Sequence, residues 1–358
     1  MNRTIVVEDA IGETRAALIE DGRVAELHID RWSARESCAA AGAVYLGRVR
    51  RVDGSLNAAF VDLGVGPDGF LPFGKAGRPA GFHEGAAWPV EVTREAHAEK
   101  GPTLASVEAE ASGDAPRLLT PALPLADRLA ARYPDAKGLW ADESDIDLDA
   151  EIEAALSVTA DIPGGGRLII EKTAALTAID VDAAGRTAQG GAQKLAADLN
   201  RSAAKEAARQ IRLRGLGGIV AIDFVHMRDR KARTEVEQAL RRTFKRDPAR
   251  VDVAPMSPFG IVELARQRTG RSLSEILLDD SGAPTVETCA LRALHRLEAE
   301  GRANRRSRLR LTLALEVSDW LNSHADLWHG ALTDRIGPRF DVVARDGAPR
   351  ETAEVSTA

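Results

Sequence analysis

The most constraining feature of the sequence is an alternation of apolar strands and amphipathic helices over residues 168–244. Strands are predicted at Leu168–Lys172, Leu176–Val181 and Gly218–Val225. Between the last two strands, apolar residues recur at helical spacing over Gln193–Leu213. A second helix follows the third strand and includes Val236–Phe244. This order of elements predicts an α/β domain.

The sequence before this domain is dominated by strand patterns. Three short strands are expected at Thr4–Glu8, Arg15–Glu20 and Arg23–Ile29, the last two separated by an Asp-Gly turn. Five more follow within about 65 residues, and this density predicts a small closed barrel of the OB type. Their expected positions are Val44–Val52, Ala58–Leu63, Gly69–Phe73, Ala87–Thr93 and Pro102–Val107. Residues 108–150 have the least regular pattern.

Charge and cysteine content exclude several classes of protein. The formal net charge is −6, so the chain does not coat nucleic acid as a bulk cation, and any such site requires local positive charge. Residues 201–250 supply it, with fourteen Lys and Arg against six Asp and Glu. Only two cysteines are present, which argues against a disulfide scaffold. No signal peptide or membrane span is expected, so we predict a cytoplasmic protein.

Three aspartates mark a candidate catalytic centre. Asp180 and Asp182 lie two residues apart on a strand and therefore project to the same face, while Asp223 lies in a second apolar strand. A divalent hard cation, Mg²⁺ or alternatively Mn²⁺, would compensate such carboxylates, and it suits phosphodiester hydrolysis. The alternative is that each aspartate ends its strand and meets solvent or a neighbouring arginine.

Aromatic and basic residues mark candidate nucleic-acid contacts. Phe60 and Phe70 could stack bases on the barrel, although both could instead belong to its core. Phosphate contacts are expected from Arg48 and Lys100 on the barrel, and from a basic stretch near the acidic strands that comprises Arg209, Arg212 and Arg214. For that stretch the alternative is an ordinary solvated helix face.

Four segments resemble the catalytic region of the ribonuclease E/G family, in family order. They are GAVYLGRVRRVDGSLNAAFVDLGVGPDGFLPF, TAALTAIDVDAAGRT, AARQIRLRGLGGIVAIDFVHM and PFGIVELARQR. The resemblance implies an α/β multidomain chain, in which a ribonuclease-H-like domain carries an inserted S1-type OB barrel. A deoxyribonuclease-I-like catalytic domain and a small C-terminal module follow. The implied ranges are 1–42 and 108–166 (ribonuclease-H-like, including a shortened connector), 43–107 (barrel), 167–280 (catalytic), 281–350 (C-terminal) and 351–358 (disordered tail).

The resemblance also assigns roles to residues. It implies that Asp180 and Asp223 bind Mg²⁺, and that Phe60, Phe70 and Lys100 contact RNA. The implied reaction is endonucleolytic cleavage of single-stranded RNA that leaves 5′-phosphate and 3′-hydroxyl ends, in RNA processing or decay.

The chain departs from the family pattern in three places. Asp182 stands where the family usually has Asn, so it could act as a third ligand. The 5′-end-sensing segment is missing, which predicts no preference for 5′-monophosphorylated RNA. The CPxC zinc link is missing, so no structural zinc is expected, although another interface could form a homo-oligomer. No degradosome-type scaffold tail is expected. These losses motivate an alternative, a non-catalytic RNA-binding or ribosome-assembly protein.

Overall fold

The structure, a computed structural model, describes residues 2–34, 38–97, 100–185 and 191–357, apart from the side chain at position 76. Within these ranges, no helix is long and apolar enough to cross a bilayer. The chain divides into two units. The first comprises the described residues of 1–6, 17–27 and 135–273, and the second those of 7–16, 28–134 and 274–358.

Nine strands precede the first α-helix among the described residues, and helices and strands are interspersed after it. The strands are β1 (Arg3–Ala10), β2 (Glu13–Glu20), β3 (Arg23–Arg31), β4 (Val44–Asp53), β5 (Ala58–Asp62), β6 (Gly69–Pro72), β7 (Ala87–Arg94), β8 (Thr103–Ser106), β9 (Arg117–Thr120), β10 (Lys137–Trp140), β11 (Thr159–Asp161), β12 (Arg167–Lys172), β13 (Thr177–Asp182), β14 (Gly218–Asp223), β15 (Val251–Val253), β16 (Ile261–Arg266), β17 (Leu309–Ala314), β18 (Phe340–Arg345) and β19 (Ala353–Thr357). The α-helices are α1 (Leu125–Arg132), α2 (Leu148–Leu156), α3 (Ala192–Leu213), α4 (Arg230–Phe244), α5 (Leu273–Leu277), α6 (Val286–Ala303), α7 (Leu315–Ser323) and α8 (Ala325–Ile336).

The three strands predicted at the start of the chain are confirmed, and each is two or three residues longer than expected. They form a four-stranded sheet with β10, in the order β10-β1-β2-β3. Asp21 and Gly22 join β2 to β3 with positive φ angles of 51° and 82°. That conformation suits the tight Asp-Gly hairpin turn read from the sequence.

The predicted barrel is confirmed as a closed five-stranded barrel. The strand order is β5-β6-β8-β7-β4, and β4 also pairs with β5, which closes the sheet on itself. Twelve buried residues form its core, including Tyr45, Leu71 and Phe82. Residues 108–150 contain more structure than their sequence pattern suggested, because β9 pairs with β4 outside the closed barrel.

The sheet that carries the three aspartates has six strands in the order β11-β12-β13-β14-β16-β15. Strands β13 and β14 run parallel, as the intervening helix α3 requires, and their other neighbours are antiparallel. Alternate residues such as Ile179 and Ile222 are buried against Leu199 and Ala203 of α3 and Leu240 of α4. The residues between them on each strand, including all three aspartates, project from the opposite face.

The C-terminal region corrects one expectation. The sequence predicted a disordered tail from residue 351, but β19 pairs antiparallel with β17 in a sheet of order β18-β17-β19. Val355 of β19 packs against the buried cluster formed by α6, α7, α8 and this sheet, and this apolar contact orders the segment. The assignment of ribonuclease-H-like and deoxyribonuclease-I-like domains, with the ranges predicted for them, stays a prediction.

Candidate active site and nucleic-acid interface

Asp180 and Asp223 form the last residue pair of the parallel ladder between β13 and β14. They are direct partners in the register of β13 and β14. Adjacent strands lie about 4.8 Å apart and register partners project from the same face, so both side chains begin side by side. Both residues are exposed. The apolar neighbours of Asp223 in the sequence predicted an enclosed carboxylate, whereas its position at the end of β14 keeps it open to ligands.

The acidic pair fits a divalent cation. Partial burial raises the pKa of Asp180 above its ordinary value, and the negative charges of Asp223 and Asp182 raise it further. A divalent cation bound between the carboxylates of Asp180 and Asp223 would relieve this repulsion, and carboxylate oxygens are the hard ligands that it prefers. Among the described residues, no three His, Cys, Asp or Glu side chains converge as a ready metal cluster. Such an ion would therefore take its remaining ligands from water or substrate.

Asp182 is engaged by an arginine. It lies opposite Arg167 in the antiparallel register of β12 and β13. Its Oδ2 accepts hydrogen bonds from Arg167 Nε at 2.9 Å and lies 2.8 Å from a terminal guanidinium nitrogen, while Oδ1 accepts the Ala184 N–H at 2.9 Å. The Ala184 N–H first, and Arg167 after it, lower the pKa of this carboxyl. For Asp182 the structure thus shows the alternative in which a strand-ending aspartate meets a neighbouring arginine.

A buried asparagine fixes the chain just beyond Asp223. The fully buried Asn200 of α3 donates from Nδ2 to the Val225 carbonyl at 2.7 Å and accepts the Val225 N–H at 3.1 Å. This pair of bonds holds the continuation of β14 against the helix. The sequence analysis missed Asn200, although an amide next to Leu199 on the apolar face of a helix was a usable signal.

The basic stretch on and beside α3 is structural. Arg212 and Arg214 are buried, and Arg209 is mostly buried. Their partners are Glu20 and Glu26 for Arg212, Glu206 and the Val24 carbonyl for Arg209, and Gln210 and the Ser157 carbonyl for Arg214. Burial lowers the pKa of Arg214 to about 10. This corrects the expectation of phosphate contacts, because the three guanidinium groups bind the protein's own oxygens.

The barrel presents an aromatic pair outside its core. Phe60 and Phe70 are register partners on β5 and β6, and their ring centroids lie 5.8 Å apart in an edge-to-face arrangement. Both are half-buried and neither belongs to the buried barrel cluster, so the core alternative does not hold. The guanidinium of Arg51 lies 4.6 Å from the Phe60 ring centroid, a cation–π contact that the sequence analysis missed.

This pair belongs to a continuous row across five strands. Successive register partners are Arg51, Phe60, Phe70, Thr103 and Arg94. The Thr103 hydroxyl accepts from Arg94 Nε at 3.2 Å and from a second guanidinium nitrogen at 2.9 Å. We call these five residues the barrel row. It places two aromatic rings between two exposed cations, an arrangement suited to single-stranded nucleic acid.

The two other predicted barrel contacts lie outside this row. Lys100 is exposed and precedes Thr103 of the barrel row by three positions. Its backbone forms an isolated antiparallel β-bridge with His97. Arg48 is also exposed. It lies on β4 two register positions from Arg51, and its register partner on β5 is Asp62. Both are therefore available to an incoming phosphate.

Comparison with known proteins agrees with the geometry. Residues 128–269 match the Ribonuclease E/G family. The chain is 33% identical to ribonuclease E of Escherichia coli K12 over 207 residues, covering 56% of this chain and 20% of that protein. It is 41% identical to ribonuclease E of Haemophilus influenzae over 128 residues, 36% of this chain and 14% of that protein. It is 33% identical to ribonuclease G of Salmonella typhimurium over 146 residues, 40% of this chain and 30% of that protein. The chain thus spans less than a third of each of these relatives, and the shared region is similar to the ribonuclease E/G family.

Proposed function

We propose that the protein is a magnesium-dependent endoribonuclease that cuts single-stranded RNA and leaves 5′-phosphate ends. The observation that carries this proposal is the register pairing of Asp180 with Asp223, both exposed, at the last position of the parallel ladder between β13 and β14. The similarity of residues 128–269 to the ribonuclease E/G family supports the choice of RNA as the substrate.

Asp180 and Asp223 would hold the cation. A bound Mg²⁺ would polarise a phosphate oxygen and lower the pKa of a coordinated water molecule. The chain's own contribution is geometric: the backbone ladder of β13 and β14 sets the spacing of the two carboxylates, and Asn200 restrains the segment after Asp223. Because both carboxylates are exposed, an extended RNA backbone can reach them without unfolding the sheet.

The barrel would bind the RNA strand. Unpaired bases would stack on Phe60 and Phe70, and Arg51, Arg94 and Lys100 would contact the phosphates between them. Each stacked base is worth roughly 1–3 kcal/mol by alanine substitution. Phe60→Ala should therefore weaken RNA binding markedly, whereas Leu56→Ala, which removes an exposed apolar side chain at 55% exposure from the same barrel, should not.

Cleavage of a labelled single-stranded RNA by the purified protein tests the catalytic proposal. Cutting should require Mg²⁺ or Mn²⁺ and stop with EDTA. Asp180→Asn and Asp223→Asn should abolish cutting and leave RNA affinity within about twofold, because these residues bind the cation. Asp252→Asn, an exposed aspartate on edge strand β15 of the same sheet, is the matched control and should cut normally. Undiminished cutting by either active-site variant would contradict the proposal.

The ends of substrate and product provide a second test. Products should carry 5′-phosphates, which a phosphatase-sensitive ligation assay detects. Cutting rates for 5′-monophosphate and 5′-hydroxyl forms of one oligonucleotide should be equal within about threefold, because the sequence lacks the family's 5′-sensing motif. A large preference for the monophosphate would show that another part of the chain senses the 5′ end.

One observation favours the alternative of a non-catalytic RNA-binding protein. Asp182, which replaces the neutral residue usual in the family, is tied to Arg167 beside the acidic pair. If pure protein binds RNA with the barrel row but never cuts it with Mg²⁺ or Mn²⁺, this alternative replaces the nuclease.

A further inference from the structure

The salt bridge between Arg167 and Asp182 lies beside the proposed cation site. Three aspartates project from one corner of the sheet, and two of them, Asp180 and Asp182, belong to the same strand face. The residues that face them on the neighbouring strand β12 differ. It places Ile169 opposite Asp180 and Arg167 opposite Asp182. Only Asp182 therefore has a cation directly across the ladder.

The contacts engage both oxygens of Asp182. Two guanidinium nitrogens of Arg167 approach Oδ2, and the Ala184 N–H occupies Oδ1. The ion pair is partly exposed, with 49% of the Arg167 side chain and 34% of the Asp182 side chain accessible. A metal ion at Asp182 would have to compete with these hydrogen bonds for the carboxylate oxygens. The Asp180 carboxylate, in contrast, faces Asp223 across the parallel ladder.

We propose that Arg167 is a positioning residue that withdraws Asp182 from the cation and keeps the site a two-carboxylate site. This inference rests on the proposed function, because it assumes that Asp180 and Asp223 bind the ion. The Arg167–Asp182 pair carries no net charge, so the corner presents two negative charges to a divalent cation. Without Arg167, a third carboxylate becomes available, and a site with three carboxylates binds divalent ions more tightly and keeps fewer exchangeable waters.

A double-mutant cycle on direct Mn²⁺ binding tests the inference without relying on activity. The four proteins are wild type, Arg167→Gln, Asp182→Asn and the double variant. The concentration of free Mn²⁺ is followed by electron paramagnetic resonance in the absence of RNA. Arg167→Gln should tighten Mn²⁺ binding on the order of tenfold, the scale expected when a divalent ion gains a nearby carboxylate. Arg167→Lys, which keeps the positive charge, should stay closer to wild type.

The coupling between the two substitutions separates a released ligand from a simple change of charge. If Arg167 withdraws Asp182, then Asp182→Asn should weaken Mn²⁺ binding far more in the Arg167→Gln background than in the wild type. Equal effects in both backgrounds would mean that the charges act independently, and would overturn the inference. Far-ultraviolet circular dichroism of all four proteins verifies that each is folded.

Failure of the proposed function gives a different result. If wild type binds no Mn²⁺, or if Asp180→Asn does not weaken that binding, the two-carboxylate site itself is refuted, and the role of Arg167 with it. If wild type binds Mn²⁺ through Asp180 and the cycle is additive, only the role of Arg167 is refuted.

Discussion

Replacing Arg212 by alanine should destabilise the first unit severely. The Arg212 side chain is 7% exposed and donates to Glu20 at 2.8 and 3.2 Å and to Glu26 at 2.6 Å. Glu20 also accepts a bond from Arg3 at 3.0 Å. The cluster therefore links α3 to β2 and β3 through three charge-assisted hydrogen bonds from one guanidinium group.

The size of the effect follows from desolvation. Removing one partner of a buried ion pair costs about 3–5 kcal/mol, because the remaining charge stays out of water. We expect a value near 3 kcal/mol, since Arg3 continues to pair with Glu20. With a urea m-value of about 2–3 kcal/mol/M, the midpoint of unfolding should fall by about 1–1.5 M.

Urea unfolding followed by circular dichroism measures this change. Lys205→Ala is the matched control, because Lys205 is an exposed cation on the same helix, and its loss should cost less than about 0.5 kcal/mol. Combining Arg212→Met with Glu20→Gln and Glu26→Gln should recover part of the stability, because both unpaired carboxylates are neutralised and Arg3 keeps its contact with Asp135. If Arg212→Ala unfolds within 1 kcal/mol of wild type but loses RNA affinity, the structural role is wrong and the phosphate role correct.

Three further predictions concern single residues in each unit. Asn200→Ala should cost about 1–3 kcal/mol in urea unfolding, because it removes the side-chain partners of the N–H and the carbonyl of the partly buried Val225. Burial lowers the pKa of His295, so on acidification the unfolded chain takes up a proton before the folded chain does. The free energy of unfolding of the wild type should therefore fall as the pH drops below about 6.5. His295→Gln should flatten this pH dependence, and an unchanged pH dependence would contradict the role given to His295. Gly12→Ala should lower the thermal midpoint by several degrees, because φ is +84° and the added Cβ would lie 2.3 Å from a Leu291 methyl carbon.

The sequence predicted those parts of the site that depend on local periodicity. The helix expected at Gln193–Leu213 begins only one residue earlier, at Ala192. Alternating apolar residues in TAIDVD and GIVAID also predicted two strands that carry the aspartates, although the predicted ends at Val181 and Val225 differ from the observed ends at Asp182 and Asp223. Because a helix joins them, the strands run parallel and their ends meet at one edge of the sheet.

The roles of the arginines could not be predicted in the same way. Helical spacing indicates that a charge lies on one side of α3, but it does not show what that side contacts. The carboxylates that bind Arg212 lie more than 180 residues away in sequence, on the hairpin of β2 and β3. Buried arginines with distant partners therefore look the same in sequence as exposed phosphate-binding ones.

The barrel row was hidden by irregular strands. Strict alternation along β4 places Arg48 and Arg50 on the outer face. A bulge between Val49 and Arg51 shifts the register, so that Arg51 becomes the partner of Phe60. A second irregularity between Val92 and Arg94 brings Arg94 opposite Thr103. Bulges of this kind have no reliable signature in a single sequence.

The parallel ladder of β13 and β14 makes the acidic pair sensitive to strand length and tolerant of most side-chain changes. Deleting one residue within β14 would invert the facing of every residue on one side of the deletion, sending a carboxylate toward Leu199 or an isoleucine into solvent. The separation of Asp180 and Asp223 is set by peptide hydrogen bonds, and substitutions on the buried face leave these bonds intact. In a family that carries such a pair, insertions and deletions should accumulate in the connections and be excluded from these two six-residue strands.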